Sequence, residues 1–283
     1  MKRILQYIVA TILALAILAL ITINILTSSI LSKEYVLGKL QEQNYYEKTY
    51  NEVESNFENY INQSGLDEEV LKDIVTKEKI QKDTKIIINN IYNGMDEKID
   101  TEEIKDNLNK NINNSLNRKT TATEKKAIDT FIETICSEYE TTISHTNYEK
   151  KINSALNQIN KYIDLANKAL LVVIGVSILL LILLTIRRIY RILARIGTAF
   201  VIDGILLILV KIYISSKINI STIMLLNSGI SDVLQSILNE ILGKILYAGS
   251  ILLSLGIILT IIYGIIKGVR KAKREKEQYT PED

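Results

Sequence analysis

Residues 4–26 read ILQYIVATILALAILALITINIL, 23 residues without a charged side chain. As a helix this stretch is about 34 Å long, enough to cross a hydrocarbon core of about 30 Å. A cleaved signal peptide is the rival reading, because Lys2 and Arg3 precede the run and Ala14-Leu15-Ala16 imitates a cleavage site. The run continues ten residues past Ala16 with no Pro or Gly to open the helix for a peptidase, which favours a retained anchor.

Three further apolar runs lie at residues 169–186, 198–214 and 245–266, of 18, 17 and 22 residues. The run at 198–214 is short and carries Asp203 and Lys211, so it is expected to lean on its neighbours. Basic segments beside a span are retained on the cytoplasmic side. Lys2 and Arg3 precede the first span, Arg187, Arg188, Arg191 and Arg195 join the second to the third, and six Lys and Arg residues from Lys267 to Lys276 follow the fourth. The reading is therefore an all-α membrane protein with four transmembrane helices and a helical extracytoplasmic domain between spans one and two. Its expected parts are 1–26 (cytoplasmic N-terminus and span one), 27–167 (outer helical domain), 168–186 (span two), 187–197 (basic cytoplasmic loop), 198–214 (span three), 215–244 (outer loop with an amphipathic helix), 245–266 (span four) and 267–283 (basic cytoplasmic tail). The outer domain then carries a net −7 and the three inner segments +8, which nearly cancel in the whole-chain value of +2.

The outer domain has Gly only at 38, 65 and 94 and no Pro, a composition that suits helices better than a sheet. Tyr46, Tyr50, Val53, Phe57 and Tyr60 recur at the spacing of one buried helix face. Gly65 supplies a stop, and Asp67 and Thr76 are N-caps for a short helix near 68–75 and a longer one near 77–93 that ends at Gly94. Asp100 with Glu103 and Thr121 with Glu124 have capping-box spacing, so a helix is expected after each. A last helix starts near Thr146 or Asn147 and runs without a breaker into span two, and span one is likewise expected to continue through 28–40. The alternative is a partly disordered spacer, because the Asn-rich stretch 107–117 has poor helix propensity.

Catalytic patterns are sparse. There is no GxxxxGKS/T phosphate loop, GxGxxG, HExxH or GxSxG. One Cys (Cys136), one His (His145), one Pro and no Trp exclude a disulfide scaffold, a multi-ligand Cys/His metal site and a Pro-rich linker. No catalytic residue, metal site or cofactor is expected. Cys136 reads as a core residue beside Ile132, Ile135 and Tyr139, and His145 as a solvated turn residue.

Asp203 stands out because an ionisable group inside a span is costly. An ion pair with Arg187 or Arg188, a lipid or partner contact, and ion or proton transport are its three readings. Gly256, Thr260, Gly264 and Gly268, at four-residue steps, form a small-residue stripe for close approach of another helix, in this chain or in a second copy. An amphipathic segment places Val233, Leu234, Ile237, Leu238, Ile241 and Leu242 on one face, and lacks the basic face of a surface-lying helix. It is expected to dock under the helical domain. Arg191, Arg195, Arg270, Lys271, Lys273 and Arg274 are positioned for anionic lipid headgroups or a cytoplasmic protein. The expected partners are thus the lipid bilayer and a membrane or cytoplasmic protein, not nucleic acid, with an oligomer left open.

One long outer domain after span one, followed by three closely spaced spans with both ends inside, resembles in topology the four-span permeases of cell-division and macrolide-exporter type ABC systems. That resemblance implies a mixed α/β outer domain and a 187–197 joint that contacts a cytoplasmic ATPase. The residue patterns themselves point to a non-enzymatic membrane protein with a sensing or scaffolding outer domain. A membrane enzyme acting on lipid or peptidoglycan through Asp203 or outer carboxylates is the third reading. Abundant Ile, Asn and Lys with little Pro suggest a bacterial cytoplasmic membrane.

Overall fold

A computed structural model describes residues 2–118, 120–144, 149–186, 189–223 and 228–278. Among the described residues there is no strand. The α-helices are α1 (Lys2–Thr27), α2 (Lys33–Glu42), α3 (Tyr45–Ser64), α4 (Lys77–Asn93), α5 (Glu102–Leu116), α6 (Ala122–Ser144), α7 (Glu149–Thr185), α8 (Tyr190–Lys217) and α9 (Ser228–Gln278). The chain divides into two compact units: Met1–Ser29 with Asn160–Thr222 and Leu238–Asp283, and Ile30–Ile159 with Ile223–Ile237.

In the first unit, α1, α7, α8 and α9 are long and apolar enough to cross a membrane. Val9, Leu13 and Leu181 form a small core, and Gln6 Nε2 donates to the Leu184 carbonyl at 3.0 Å, so the polar Gln6 is satisfied where it is buried. Much of the remaining apolar surface faces outward, including Leu171, Leu179, Leu183, Leu209 and Ile261. In water such a surface is an aggregation hazard, whereas against lipid it is the expected exterior.

The second unit is polar outside and has its own core, built on Val53, Phe57, Ile61, Ile80, Ile104, Leu108, Ile112, Ile135 and Tyr139. The caps that start its helices are local. Thr76 accepts from the Lys79 amide at 3.1 Å to open α4, and Gly94 closes it at φ +69°. Ahead of α6, the Glu124 amide donates to Thr121 Oγ1 at 3.3 Å while the Thr121 amide donates to the Glu124 carboxylate at 2.7 Å, a reciprocal box. The Arg118 guanidinium, with the Thr121 amide and hydroxyl, holds the Glu124 carboxyl down to about 2. Inside the core, Asp83 accepts from the Tyr139 hydroxyl at 2.6 Å and pairs with Lys79 at 3.2 Å.

Several boundaries differ from the sequence expectation. Span one does not continue to residue 40: turns at 28–31 end α1, and Ser32 caps α2 by accepting from the Tyr35 amide. Ser29, fully buried, accepts from Lys244 Nζ at 3.1 Å, a contact between distant residues that no local pattern announces. The helix expected at 68–75 is a single 3-10 turn, Glu68–Leu71. Asp100 caps the Glu102 amide rather than forming a box with Glu103, so α5 starts at Glu102. The Asn-rich stretch is helical because Ile104, Leu108 and Ile112 are fully buried, and that burial outweighs its propensity. The loop placed at 187–197 is helical from Tyr190, and no break separates the amphipathic segment from span four in α9. His145, Thr146 and Asn147 lie outside the described residues.

Candidate functional site

Within the four-helix unit, two pairs of glycines bring α8 and α9 together. A Cβ built on Gly197 would lie 3.0 Å from the Gly256 carbonyl oxygen and 2.8 Å from Thr260 Oγ1. One built on Gly204 would lie 2.7 Å from the Gly249 carbonyl oxygen and 2.6 Å from the Leu253 amide nitrogen. Both pairs are seven residues apart and match in opposite order, so α8 and α9 meet as an antiparallel seam with a 3.5-residue period. Of the expected stripe, Gly256 and Thr260 therefore touch α8, while Gly264 and Gly268 have nothing within 4 Å of a would-be Cβ.

Asp203 is next to Gly204 on α8 and is fully buried. Neither of its carboxyl oxygens has a hydrogen-bond partner among the described residues. It lines a cavity of about 80 Å³ with Ala10, Thr11, Ala14, Thr198 and Arg195, a space large enough to admit water or a small polar group. The neighbouring hydroxyls are spent on their own helices: Thr11 donates to the Tyr7 carbonyl at 3.0 Å and Thr198 to the Ala194 carbonyl at 2.7 Å. Arg195 lies over the Tyr7 ring, 3.6 Å from its centroid. The ion-pair reading needs Arg187 or Arg188, and both lie outside the described residues.

The other cations expected at a lipid or protein contact are spread along α8 and α9. Arg191 is partly buried, Arg270 lies 4.6 Å over the Tyr190 ring, and Tyr190 stacks on Tyr263 at 5.9 Å. Lys271 pairs with Glu275 at 3.6 Å, and Lys273 and Arg274 are exposed. Cations interleaved with tyrosines are the composition of a membrane–water interface.

The helical unit contains a concavity that sequence reasoning missed. It has a volume of about 330 Å³ and is walled by Leu40, Thr84, Ile87, Ile88, Ile91, Ile143, Val233 and Ile237, among others. The amphipathic segment supplies one wall: Gln43 Nε2 donates to Ser236 Oγ at 3.2 Å, and Lys48 pairs with Asp232. The available signal was the Ile86-Ile87-Ile88 run with Ile91, which covers more of α4 than a single core-facing stripe requires.

No known protein family, curated protein or solved structure matches the chain. Among the described residues no group of three or more His, Cys, Asp or Glu side chains is arranged to hold a metal ion. Cys136 is buried in the core, and burial pushes its thiol up, away from the reactive thiolate. The two sites offer a solitary carboxyl in one cavity and an almost wholly apolar lining in the other.

Replacing Asp203 by Leu tests the ion-pair reading. A buried carboxyl without a partner destabilises by about 1–3 kcal/mol, so the thermal midpoint of the Asp203→Leu protein in nanodiscs is expected to hold or rise. A fall of several degrees would show that the carboxyl is paired, with Arg187 or Arg188 as the partner to test next.

Proposed function

We propose that this chain is a non-enzymatic, multi-pass membrane protein whose helical unit stands outside a bacterial cytoplasmic membrane and senses or scaffolds a component of the envelope. The observation that carries the reading is a helical unit with its own buried core and its own apolar cavity, joined to helices fit to span a bilayer. The charge distribution supports the orientation, with −7 on residues 27–167 and +8 on the three segments read as cytoplasmic. The bilayer is one partner in this reading, and the exposed cations Arg270, Lys273 and Arg274 suit anionic headgroups or a cytoplasmic protein.

The permease-like reading draws on the same topology but fits less well. Its outer domain is expected to be mixed α/β, whereas residues 30–159 contain no strand among those described. Arg195, which that reading offers to an ATPase, is turned over the Tyr7 ring.

Sidedness is tested by cysteine labelling in a Cys136→Ala background. Asn62 and Ala272 are both exposed. Asn62→Cys is expected to react with a membrane-impermeant maleimide in intact cells, and Ala272→Cys only after permeabilisation. The reverse pattern would place the helical unit inside and overturn the proposal.

A further inference from the structure

We propose that the cavity of the helical unit is a binding site for a single lipid-type aliphatic chain, with an ester or carboxyl oxygen of the ligand accepting a hydrogen bond from Thr84. Among the described residues the lining contains none that is charged, so these walls offer an aliphatic chain apolar contact and give an ionised headgroup no counter-charge. The lining is mainly aliphatic, which suits a flexible chain of methylenes, and lipid is the abundant source of such chains around a protein with four helices fit to span a bilayer.

The polar groups on the wall point the same way. Ser144 donates to the Glu140 carbonyl at 2.7 Å, and Tyr92 to the Ile30 carbonyl at 2.6 Å, so both hydroxyls are satisfied within the protein. Thr84 is different. It is 4% exposed and its hydroxyl has no hydrogen-bond partner among the described residues. Thr130, Thr134 and Thr141, also within helices, return their hydroxyls to the carbonyl four residues back. An orphan hydroxyl on an apolar wall is costly unless something in the cavity accepts from it.

The inference deepens the reading of this unit as a sensing domain and rests on it for its biological sense, yet the two fail separately. In the full chain, reconstituted in dioleoylphosphatidylglycerol nanodiscs, a palmitic acid carrying a mid-chain diazirine is photo-crosslinked and the labelled peptides are mapped. Labels are expected on residues 84–92 and 230–237, beyond the background on the spans. Ile88→Trp, which fills the cavity, is expected to cut that labelling at least tenfold without changing the label on residues 171–183. Thr84→Val keeps the shape and removes one hydrogen bond, so half-saturation is expected at about fivefold higher probe. It also serves as the test if the Trp variant does not fold. Labelling confined to the spans, or undiminished in the folded variants, overturns the lipid site. Impermeant labelling of Asn62→Cys with no cavity label would leave the orientation standing and the lipid site refuted; the opposite pair of results would do the reverse.

Discussion

Gly204→Val is expected to lower the thermal midpoint of the protein more than any other single change in the four-helix unit. The first added carbon would sit 2.6 Å from the Leu253 amide nitrogen and 2.7 Å from the Gly249 carbonyl oxygen. Both are backbone atoms, so no rotamer change relieves the clash and the helices themselves must part. Overpacking a well-filled site costs about 1–3 kcal/mol, occasionally more, and separation of α8 from α9 also loses the contacts at Gly197 and Gly256. Gly256→Val should behave alike, since its Cβ would lie 2.7 Å from both the Gly197 carbonyl oxygen and the Val201 amide nitrogen. Helix propensity works in the other direction, because Gly→Ala within a helix gains about 1 kcal/mol when nothing is in the way. That makes Gly264→Ala and Gly268→Ala the controls: both positions are open, and both variants are expected to be neutral or more stable. Melting curves in detergent decide the matter. A Gly204→Val protein that melts with the wild type would mean that α8 and α9 do not make this seam.

Those four glycines also mark where sequence reading stops. A four-residue step on α9 picks out Gly256, Thr260, Gly264 and Gly268, and the composition is right for a helix contact. Which of them is used depends on the partner helix, and the decisive pattern is the seven-residue spacing shared by Gly197 with Gly204 and Gly249 with Gly256. That pattern was present in the sequence but becomes meaningful only when the two helices are compared in opposite directions. Local signals fared better where the physics is local. Thr76 and Gly94 bound α4, and Thr121 with Glu124 opens α6, because a cap needs only residues within one turn. The turn after α1 was illegible for the opposite reason, since Ser29 is held by Lys244, 215 residues away. The same divide separates the sites. Asp203 is conspicuous in sequence because charge is rare in an apolar run, while the cavity of the helical unit is assembled from commonplace residues, isoleucines foremost, on six helices and shows itself only in three dimensions.

Asp83 was equally invisible among 32 acidic residues, and its removal is expected to have the largest effect in the helical unit. Its side chain is 1% exposed, accepts from Tyr139, and pairs with Lys79, whose own side chain is only 10% exposed. Lys79 also donates to the Asp100 carbonyl at 2.7 Å and lies 5.7 Å over the Tyr139 ring, so the three side chains and the start of α5 form one network. Burial first, and then the Asp83 carboxylate, push the Tyr139 hydroxyl above its usual range, so it stays protonated and remains a donor wherever Asp83 is ionised. Asp83→Ala takes the carboxylate from the largely covered Lys79 ammonium and strands the buried Tyr139 hydroxyl. Breaking such a pair costs about 3–5 kcal/mol, a large share of the roughly 5–15 kcal/mol that holds a typical domain together. Tyr139→Phe removes one hydrogen bond to a charged group, about 1.5–3 kcal/mol, and leaves the ion pair intact. Asp129→Ala, at an exposed position of α6, should do almost nothing. The sharper test is the triple change Lys79→Met, Asp83→Leu, Tyr139→Phe, which leaves no buried member of the trio unpaired and returns only the carbonyl of the exposed Asp100 to water; it is expected to recover much of what Asp83→Ala loses. Hydrogen exchange of the α4 and α6 amides, measured in the full chain, reads each step. If the triple variant exchanges faster than Asp83→Ala, the network contributes net stability of its own; if it exchanges more slowly, the cost of Asp83→Ala lies in the partners it leaves behind, and the trio is then a device that fixes how α4 and α6 register against each other.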